Sequence, residues 1–328
     1  MRKPQLDCEA GRAVFKHVQA KSREVNRSIH DVALRYALER FLYRLFETPA
    51  EKASGLFLSP ESEVRLEQDT VTVKGGLTMI FAENVPPFEG RTTGDADLHL
   101  AAFPGTMEDY AAILRRGLAG PPASGPDDGI RFDVEAVRVS QDRDERTGGT
   151  LVVPLQIGAL ALQVKTDVTF DARPMHDRAP VVEYPSVIPE AGLPPPRIRR
   201  VPYEFMIADK FTAALEYGLA NKRLRDYPDM LLLLREIDLD AGFLAETLAA
   251  SLRFRGMALP RSMEEAPGFS ERFAAEKAGR WEIEKVSRNY RITLPLPELL
   301  AELRERLTPV LERARAAGPL PDWSEPAR

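Results

Sequence analysis

A proline-rich stretch late in the chain limits the folds that are open to it. Residues 185–202 read PSVIPEAGLPPPRIRRVP and contain six prolines. Proline has a fixed φ and no backbone N–H, so this run cannot form a regular helix or a central strand. The stretch therefore predicts a strap between two regions that fold differently.

The region before the strap has the alternating pattern of half-buried strands. In residues 162–170, LQVKTDVTF, Leu162, Val164, Thr166 and Val168 alternate with more polar side chains. This period of two is typical of a strand with one face on the core. The predicted elements of this region are helix 28–47, strand 70–76, helix 77–83, strand 95–103, helix 106–118 and strands 130–139, 150–160 and 161–170.

The region after the strap has helical spacing almost throughout. In its last predicted helix, leucines at positions 299, 300, 303, 307 and 311 form one apolar stripe. The sequence therefore predicts an α+β protein, with a mixed sheet flanked by helices and then a helical C-terminal region. The predicted helices are 203–220, 224–237, 240–254, 269–280 and 297–317, and the predicted domains are an α/β core with N-terminal helices (1–184), the strap (185–202) and a helical domain (203–328).

The composition argues against several classes of protein. Cys8 is the one cysteine of the chain and the four histidines are scattered, which argues against a disulfide framework and a zinc site. The N-terminus has no apolar core of a signal peptide, and no apolar run approaches the length of a membrane span. We therefore expect a cytoplasmic protein with no membrane contact.

Net charge gives no general argument for nucleic-acid binding, because the chain carries −5 at pH 7. Two local basic runs are the exception. Arg197, Arg199 and Arg200 end the strap, and residues 221–225 read NKRLR. These runs are either solvated charge or a local patch for a nucleic acid.

Asp95 and Asp97 are the first candidates for chemistry. On a strand, residues two apart point to the same face, and two carboxylates so close call for a cation between them. Asp167 is expected on the non-core face of a later strand. Three converging carboxylates would hold Mg²⁺ and a triphosphate. On the Asp95/Asp97 pair alone, the alternative is an Asp-rich turn followed by a solvated strand residue.

Two further features are weaker on their own. Gly75 and Gly76 separate a predicted strand from a helix, which suits either phosphate binding by backbone N–H groups or an ordinary turn. Lys210 lies in an apolar helix, ahead of Asp226 and Asp229. It either extends to solvent along its aliphatic stem or balances phosphate charge.

The motifs KGGLTMIFAE, RTTGDADL, LQVKTDVTF and IADKFTAALEYGLANKRLRDYPDMLLL occur in this order. Together they resemble the AbiEii-type nucleotidyltransferase toxins of type IV toxin–antitoxin and abortive-infection systems, from about residue 28 to about 255. Asp209 replaces the family's Glu before the lysine, and Arg225 replaces a Lys before the acidic motif. The positions that match the family pattern are Lys74, Gly75, Gly76, Arg91, Thr93, Asp95, Asp97, Leu98, Asp167, Lys210, Asp226 and Asp229.

The resemblance implies a nucleotidyltransferase-like sheet and an Mg²⁺-dependent transfer of a nucleoside monophosphate from a nucleoside triphosphate. The first expectation for the acceptor is RNA, at the 3′ end of tRNA, and a cognate antitoxin is expected without direct contact being required. It implies that Asp95, Asp97 and Asp167 hold the metal, that Asp167 helps deprotonate the acceptor, and that Asp226 orients Lys210 or the nucleotide. The nucleotide-binding residues that it implies are Lys74, Gly75, Gly76, Arg91, Thr93 and Lys210.

Other functions remain open at this point. A protein hydroxyl is the second candidate for the acceptor, and a small molecule is the third. A non-catalytic nucleotide-binding module would keep the fold without the reaction. A carboxylate-pair glycosidase needs neither Lys210 nor the glycine pair, and no sugar-stacking aromatic residues are evident.

Overall fold

The computed structural model describes residues 8–46, 71–90, 93–101, 103–141, 148–171, 178–288 and 290–316. Two compact units make up the chain. Unit 1 comprises Met1–Leu77 and Thr93–Arg200, and unit 2 comprises Thr78–Thr92 and Val201–Arg328. Thr78–Thr92 thus belongs to the unit of the C-terminal helices, although it lies far before them in the sequence. The domain bounds 1–184, 185–202 and 203–328 remain a prediction.

Unit 1 begins with two helices. α1 (Glu9–Glu24) was not predicted, and it begins at Cys8, whose Sγ accepts the N–H of Gly11 at 3.2 Å. α2 (Ile29–Phe46) corresponds to the predicted helix, and Ser28 caps it as expected by accepting the Asp31 N–H at 3.1 Å. The capping hydroxyl satisfies one of the N–H groups that a helix start leaves without an intrahelical partner.

α2 is buried along nearly its whole length and carries buried charges that connect it to the rest of unit 1. Arg44 Nη2 donates to Asp128 Oδ1 at 2.6 Å, and both side chains are 1% exposed. Glu39 Oε2 accepts the backbone N–H of Val187, in the strap, at 2.6 Å. Buried charges with partners of this kind fix one arrangement of the helix, because losing a partner leaves a charge without solvation.

Six strands form one mixed sheet in unit 1. They are β1 (Val71–Lys74), β2 (Asp95–Ala101), β3 (Ile130–Phe132), β4 (Arg138–Gln141), β5 (Gly148–Ile157) and β6 (Leu160–Asp171). The strand order is β1-β2-β6-β5-β3, and β4 also pairs with β5. β2 and β6 are parallel, whereas the other pairs in this sheet are antiparallel.

Two sequence expectations need correction here. The segment 130–139 is not one strand, because a 3-10 turn at Val134–Ala136 divides it into β3 and β4. The strap is also not wholly irregular, since β8 (Arg197–Arg199) pairs with β7 (Val181–Glu183). The residues of β8 follow the last proline of the triple-proline run, so their N–H groups are available for pairing.

Two of the remaining helices confirm particular expectations from the sequence. The helix at Met107–Leu118 has the predicted Thr106 cap, completed by Asp109 as a capping box. In the last helix, the predicted leucine stripe is buried. No helix within the described ranges is long and apolar enough to cross a membrane. After α1 and α2, the helices are α3 (Met79–Glu83), α4 (Met107–Leu118), α5 (Tyr203–Tyr217), α6 (Asp226–Glu236), α7 (Ala241–Phe254), α8 (Glu271–Ser287) and α9 (Leu296–Ala316).

Candidate functional site

The pairing of β2 with β6 brings the three predicted carboxylates onto one face of the sheet. Asp97 is in register with Asp167, and Asp95 is in register with Lys165. Thr166 and Val168 are buried on the other face, so Asp167 lies opposite the core as expected from the alternation. The strand register thus places side chains from residues 95–97 and 165–167 side by side.

The three carboxylates form a compact cluster. One oxygen from each of Asp95, Asp97 and Asp167 lies within 4.8 Å of the others, and all three side chains are half-buried. These are oxygen-only donors at spacings that suit a hard divalent cation. The donor set therefore fits Mg²⁺, and three protein oxygens are fewer than its six ligands, so water or phosphate oxygens would complete the coordination.

Neighbouring side chains hold two of these carboxylates in place. Asp167 Oδ1 accepts the hydroxyl of Thr150 at 2.5 Å, and its Oδ2 accepts Lys165 Nζ at 2.7 Å. Asp95 Oδ1 accepts the Thr93 hydroxyl at 3.2 Å. The hydrogen bond to Asp167 raises the pKa of Lys165, and the charges of the cluster add to this effect. Lys165 therefore remains a cation within the cluster.

Gly75 leaves the space that Asp97 occupies. Its φ is +70°, and a Cβ added there would lie 1.8 Å from Asp97 Oδ2. No residue with a side chain fits this position without displacing the carboxylate. Lys74, in register with Asp97, directs its Nζ to the Thr169 hydroxyl at 2.9 Å.

The glycine pair opens a 3-10 turn, Gly75–Thr78, ahead of α3. The predicted order of strand, glycine pair and helix is present, but α3 has only five residues. Arg91, the other nucleotide-binding candidate from this part of the sequence, lies outside the described residues. Phosphate binding by Gly75 and Gly76 remains a prediction.

In unit 2, Lys210 is buried and held by two acids. Its Nζ donates to Asp226 Oδ1 and to Asp229 Oδ2, each at 2.8 Å. The side chains of the three residues are 9%, 1% and 3% exposed. The alternative of a lysine that reaches solvent is therefore wrong for this structure. Asp226 contacts Lys210, and its role in orienting Lys210 or the nucleotide remains a prediction.

Asp226 is ionised by its surroundings. Burial favours the neutral acid, but the charges of Lys210, Arg223 and Arg225 outweigh burial and lower the pKa of Asp226. Arg223 Nε lies 2.7 Å from Asp226 Oδ2. The four side chains, Lys210, Arg223, Asp226 and Asp229, form what we call the lysine cluster, and their formal charges sum to zero.

The two basic runs differ in accessibility. Arg200 is buried at 8% exposure, so it offers little surface to a nucleic acid, whereas Arg197 is exposed. In the second run Lys222 is exposed, and Arg223 is 47% exposed although it pairs with Asp226. Each run keeps part of its charge at the surface of its own unit.

Sequence reasoning missed Thr150, Lys165 and Arg223. Lys165 had a readable signal, because it lies two residues before Asp167 on an alternating strand and so shares its face. Thr150 had none, since its approach to Asp167 depends on the register of β5 with β6. Arg223 was singled out only as part of a basic run.

Comparisons with known proteins identify the family and the fold. The family described as nucleotidyl transferase AbiEii toxin, type IV TA system, matches residues 61–325. No curated protein sequence matches the chain. Among solved structures, MenT4, a nucleotidyltransferase toxin from Mycobacterium tuberculosis H37Rv, has a TM-score of 0.51 at 17% identity and covers 92% of this chain and 98% of its own.

A second solved structure, JHP933 from Helicobacter pylori, has a TM-score of 0.42 at 13% identity, over 81% of this chain and 92% of its own. The likeness to MenT4 supports the fold, while the family match extends over most of the chain and includes both the carboxylate cluster and the lysine cluster. The chain belongs to the AbiEii nucleotidyltransferase toxin family of type IV toxin–antitoxin systems.

Proposed function

We propose that the protein transfers a nucleoside monophosphate from a nucleoside triphosphate to a hydroxyl of RNA, at the 3′ end of tRNA, in an Mg²⁺-dependent reaction. In this proposal it acts as the toxin of a toxin–antitoxin or phage-defence system. The observation that carries the proposal is the cluster of Asp95, Asp97 and Asp167, with oxygens within 4.8 Å, in a member of a nucleotidyltransferase family.

The carboxylate cluster is the part of unit 1 that would hold the metal. Its donors are all oxygens, and the missing side chain at Gly75 keeps Asp97 Oδ2 accessible beside the turn. When bound, Mg²⁺ supplies Lewis-acid chemistry, since it offsets phosphate charge and favours ionisation of a coordinated hydroxyl. The hydrogen bonds from Thr93, Thr150 and Lys165 orient the acids that this chemistry requires.

The reaction forms one bond and breaks one. The acceptor oxygen bonds to the α-phosphorus, the bond from that phosphorus to the bridging oxygen of the β-phosphate breaks, and pyrophosphate leaves. The acceptor proton goes to a base, for which Asp167 is the predicted residue. Each oxygen of Asp167 accepts one hydrogen bond in this structure, from Thr150 and from Lys165, and each keeps a second lone pair for the proton.

The surface charge of each unit supports an RNA acceptor. Lys222 and the half-exposed Arg223 in unit 2, and the exposed Arg197 in unit 1, offer cations for phosphates although the chain is acidic overall. Binding through such contacts weakens as salt rises, because counterions are released from the nucleic acid. The same charges give no reading of base sequence.

The test is a transfer assay with the full chain, Mg²⁺ and total cellular RNA. Each of the nucleoside triphosphates, radiolabelled at the α-phosphate, is incubated in turn, and the products are separated on a denaturing gel. We expect label in a tRNA-sized band, and we expect Asp97→Asn to abolish it because a metal ligand is lost. Glu135→Gln, an exposed acid of the same unit, is the matched control and should remain active.

The outcomes separate the candidate functions. Label on a protein band that Asp97→Asn abolishes would move the acceptor to a protein hydroxyl. Nucleotide binding without label on any acceptor would favour a non-catalytic module. Full activity of Asp97→Asn would refute the assignment of the metal site.

A further inference from the structure

Lys165 lies within the carboxylate cluster. It is in register with Asp95 on the neighbouring strand, and its Nζ lies 2.7 Å from Asp167 Oδ2. The ammonium group therefore binds one of the three carboxylates that the proposed metal site uses.

We infer that Lys165 is an internal counter-cation, which holds Asp167 while no metal is bound and competes with the metal ion for the cluster. The inference rests on the proposed function, because it takes the carboxylate cluster as the metal site. It adds a cost to metal binding that the three acids alone would not impose.

Electrostatics favour this competition. Three carboxylates within 4.8 Å repel one another, and a single ammonium among them relieves part of that repulsion. A divalent cation and an ammonium on the same carboxylate would repel each other in turn. In this inference, metal binding moves the Lys165 side chain away from Asp167.

The exposure of the pair makes this exchange feasible. Lys165 and Asp167 are 45% and 35% exposed, whereas Lys210 in the lysine cluster is only 9% exposed. A half-exposed ion pair is weak, since water and salt screen it. The Lys165 side chain can swing into solvent without leaving a buried charge unpaired, so it can yield to a metal ion as Lys210 could not.

The test measures the affinity of the full chain for Mn²⁺ alone, by electron paramagnetic resonance of the free ion. We expect Lys165→Met to bind Mn²⁺ more tightly than the unmodified protein, by up to about fivefold, as the strength of a half-exposed pair implies. Lys165→Arg should restore the weaker affinity, because it restores the cation. Lys16→Met, an exposed lysine of α1 with the same charge change, is the matched control and should leave the affinity unchanged.

Asp97→Asn separates this inference from the proposed site. If Asp97→Asn loses Mn²⁺ binding but Lys165→Met binds as the unmodified protein does, the cluster is the metal site and the competition is refuted. Weaker binding by Lys165→Met, in a protein whose thermal unfolding is unchanged, would also refute it and would make Lys165 a residue that positions Asp167. Mn²⁺ binding that survives Asp97→Asn would overturn the proposed metal site itself, and the inference with it.

Discussion

Replacing Lys210 by methionine should destabilise unit 2 strongly. The ammonium donates to Asp226 and Asp229 at 2.8 Å each, and these acids are 1% and 3% exposed. Removing one partner of a buried ion pair typically costs about 3–5 kcal/mol, because the remaining charge is left in a poorly solvating interior. Arg223 still faces Asp226, so we expect about 4 kcal/mol rather than a larger sum.

Urea unfolding followed by tryptophan fluorescence measures this loss. Trp281, one of the two tryptophans of the chain, is fully buried in α8 of unit 2 and reports on that unit. Lys222→Met removes the same charge from the surface of unit 2 and should change the unfolding free energy by less than about 0.5 kcal/mol.

A double variant gives the reason for the loss. If uncompensated carboxylates cause it, adding Asp229→Asn to Lys210→Met should recover part of the stability, since a neutral amide replaces one buried charge. A Lys210→Met protein within about 1 kcal/mol of the unmodified chain would refute the reasoning. Nucleotide affinity of Lys210→Met should be measured where unit 2 is still folded, so that a role at the triphosphate is distinguished from a role in stability.

Two further predictions concern unit 1. Gly75→Ala should abolish transfer activity and weaken metal binding, because the new Cβ meets Asp97 Oδ2. Gly120 is the control position, since it has nearly the same φ (+72°) but open space around it. Gly120→Ala should lower the stability in thermal unfolding and keep the transfer activity. Burial raises the pKa of Glu39 from 4.5 to about 7, although the Val187 N–H acts in the opposite direction. The folded state therefore holds this proton more tightly than the unfolded state does. Its stability falls as the pH rises from about 4.5 to about 7. Across that range the unfolding free energy of Glu39→Gln should gain up to about 3 kcal/mol relative to the unmodified chain, and a constant difference would contradict the assignment.

The sequence predicts which face of the sheet carries the carboxylates better than it predicts which residues lie beside them. Alternation in residues 162–170 was sufficient to place Asp167 opposite the core, because that property is local. The pairing of Asp97 with Asp167 is not local, since it depends on the register of two strands some seventy residues apart. The helix α1 escaped prediction for a different reason: its cap is a cysteine, and its buried valines, Val14 and Val18, are few among charged residues.

The lysine cluster shows the same limit. The sequence predicts the helix around Lys210 but does not predict that the Lys210 side chain is buried. The acids that hold its charge lie 16 and 19 residues further along the chain, on the next helix. An isolated lysine in an apolar helix usually reaches solvent along its stem. Only the packing of α5 against α6 shows that its charge is matched in the interior.

Charge balance distinguishes the two groups of motif residues. In the lysine cluster two cations meet two carboxylates, and this balance is what allows side chains as little as 1% exposed to stay ionised. On the sheet face, Asp95, Asp97 and Asp167 share two strand neighbours of opposite charge, Lys74 and Lys165, which leaves a formal charge of −1 on a half-exposed surface. A site with an excess of carboxylate can accept a divalent cation and still take on the negative charge of a phosphate, whereas the balanced lysine cluster has no excess negative charge to attract a metal ion. The cation of the proposed reaction is therefore expected at the sheet face, and removing Lys165 should strengthen its binding.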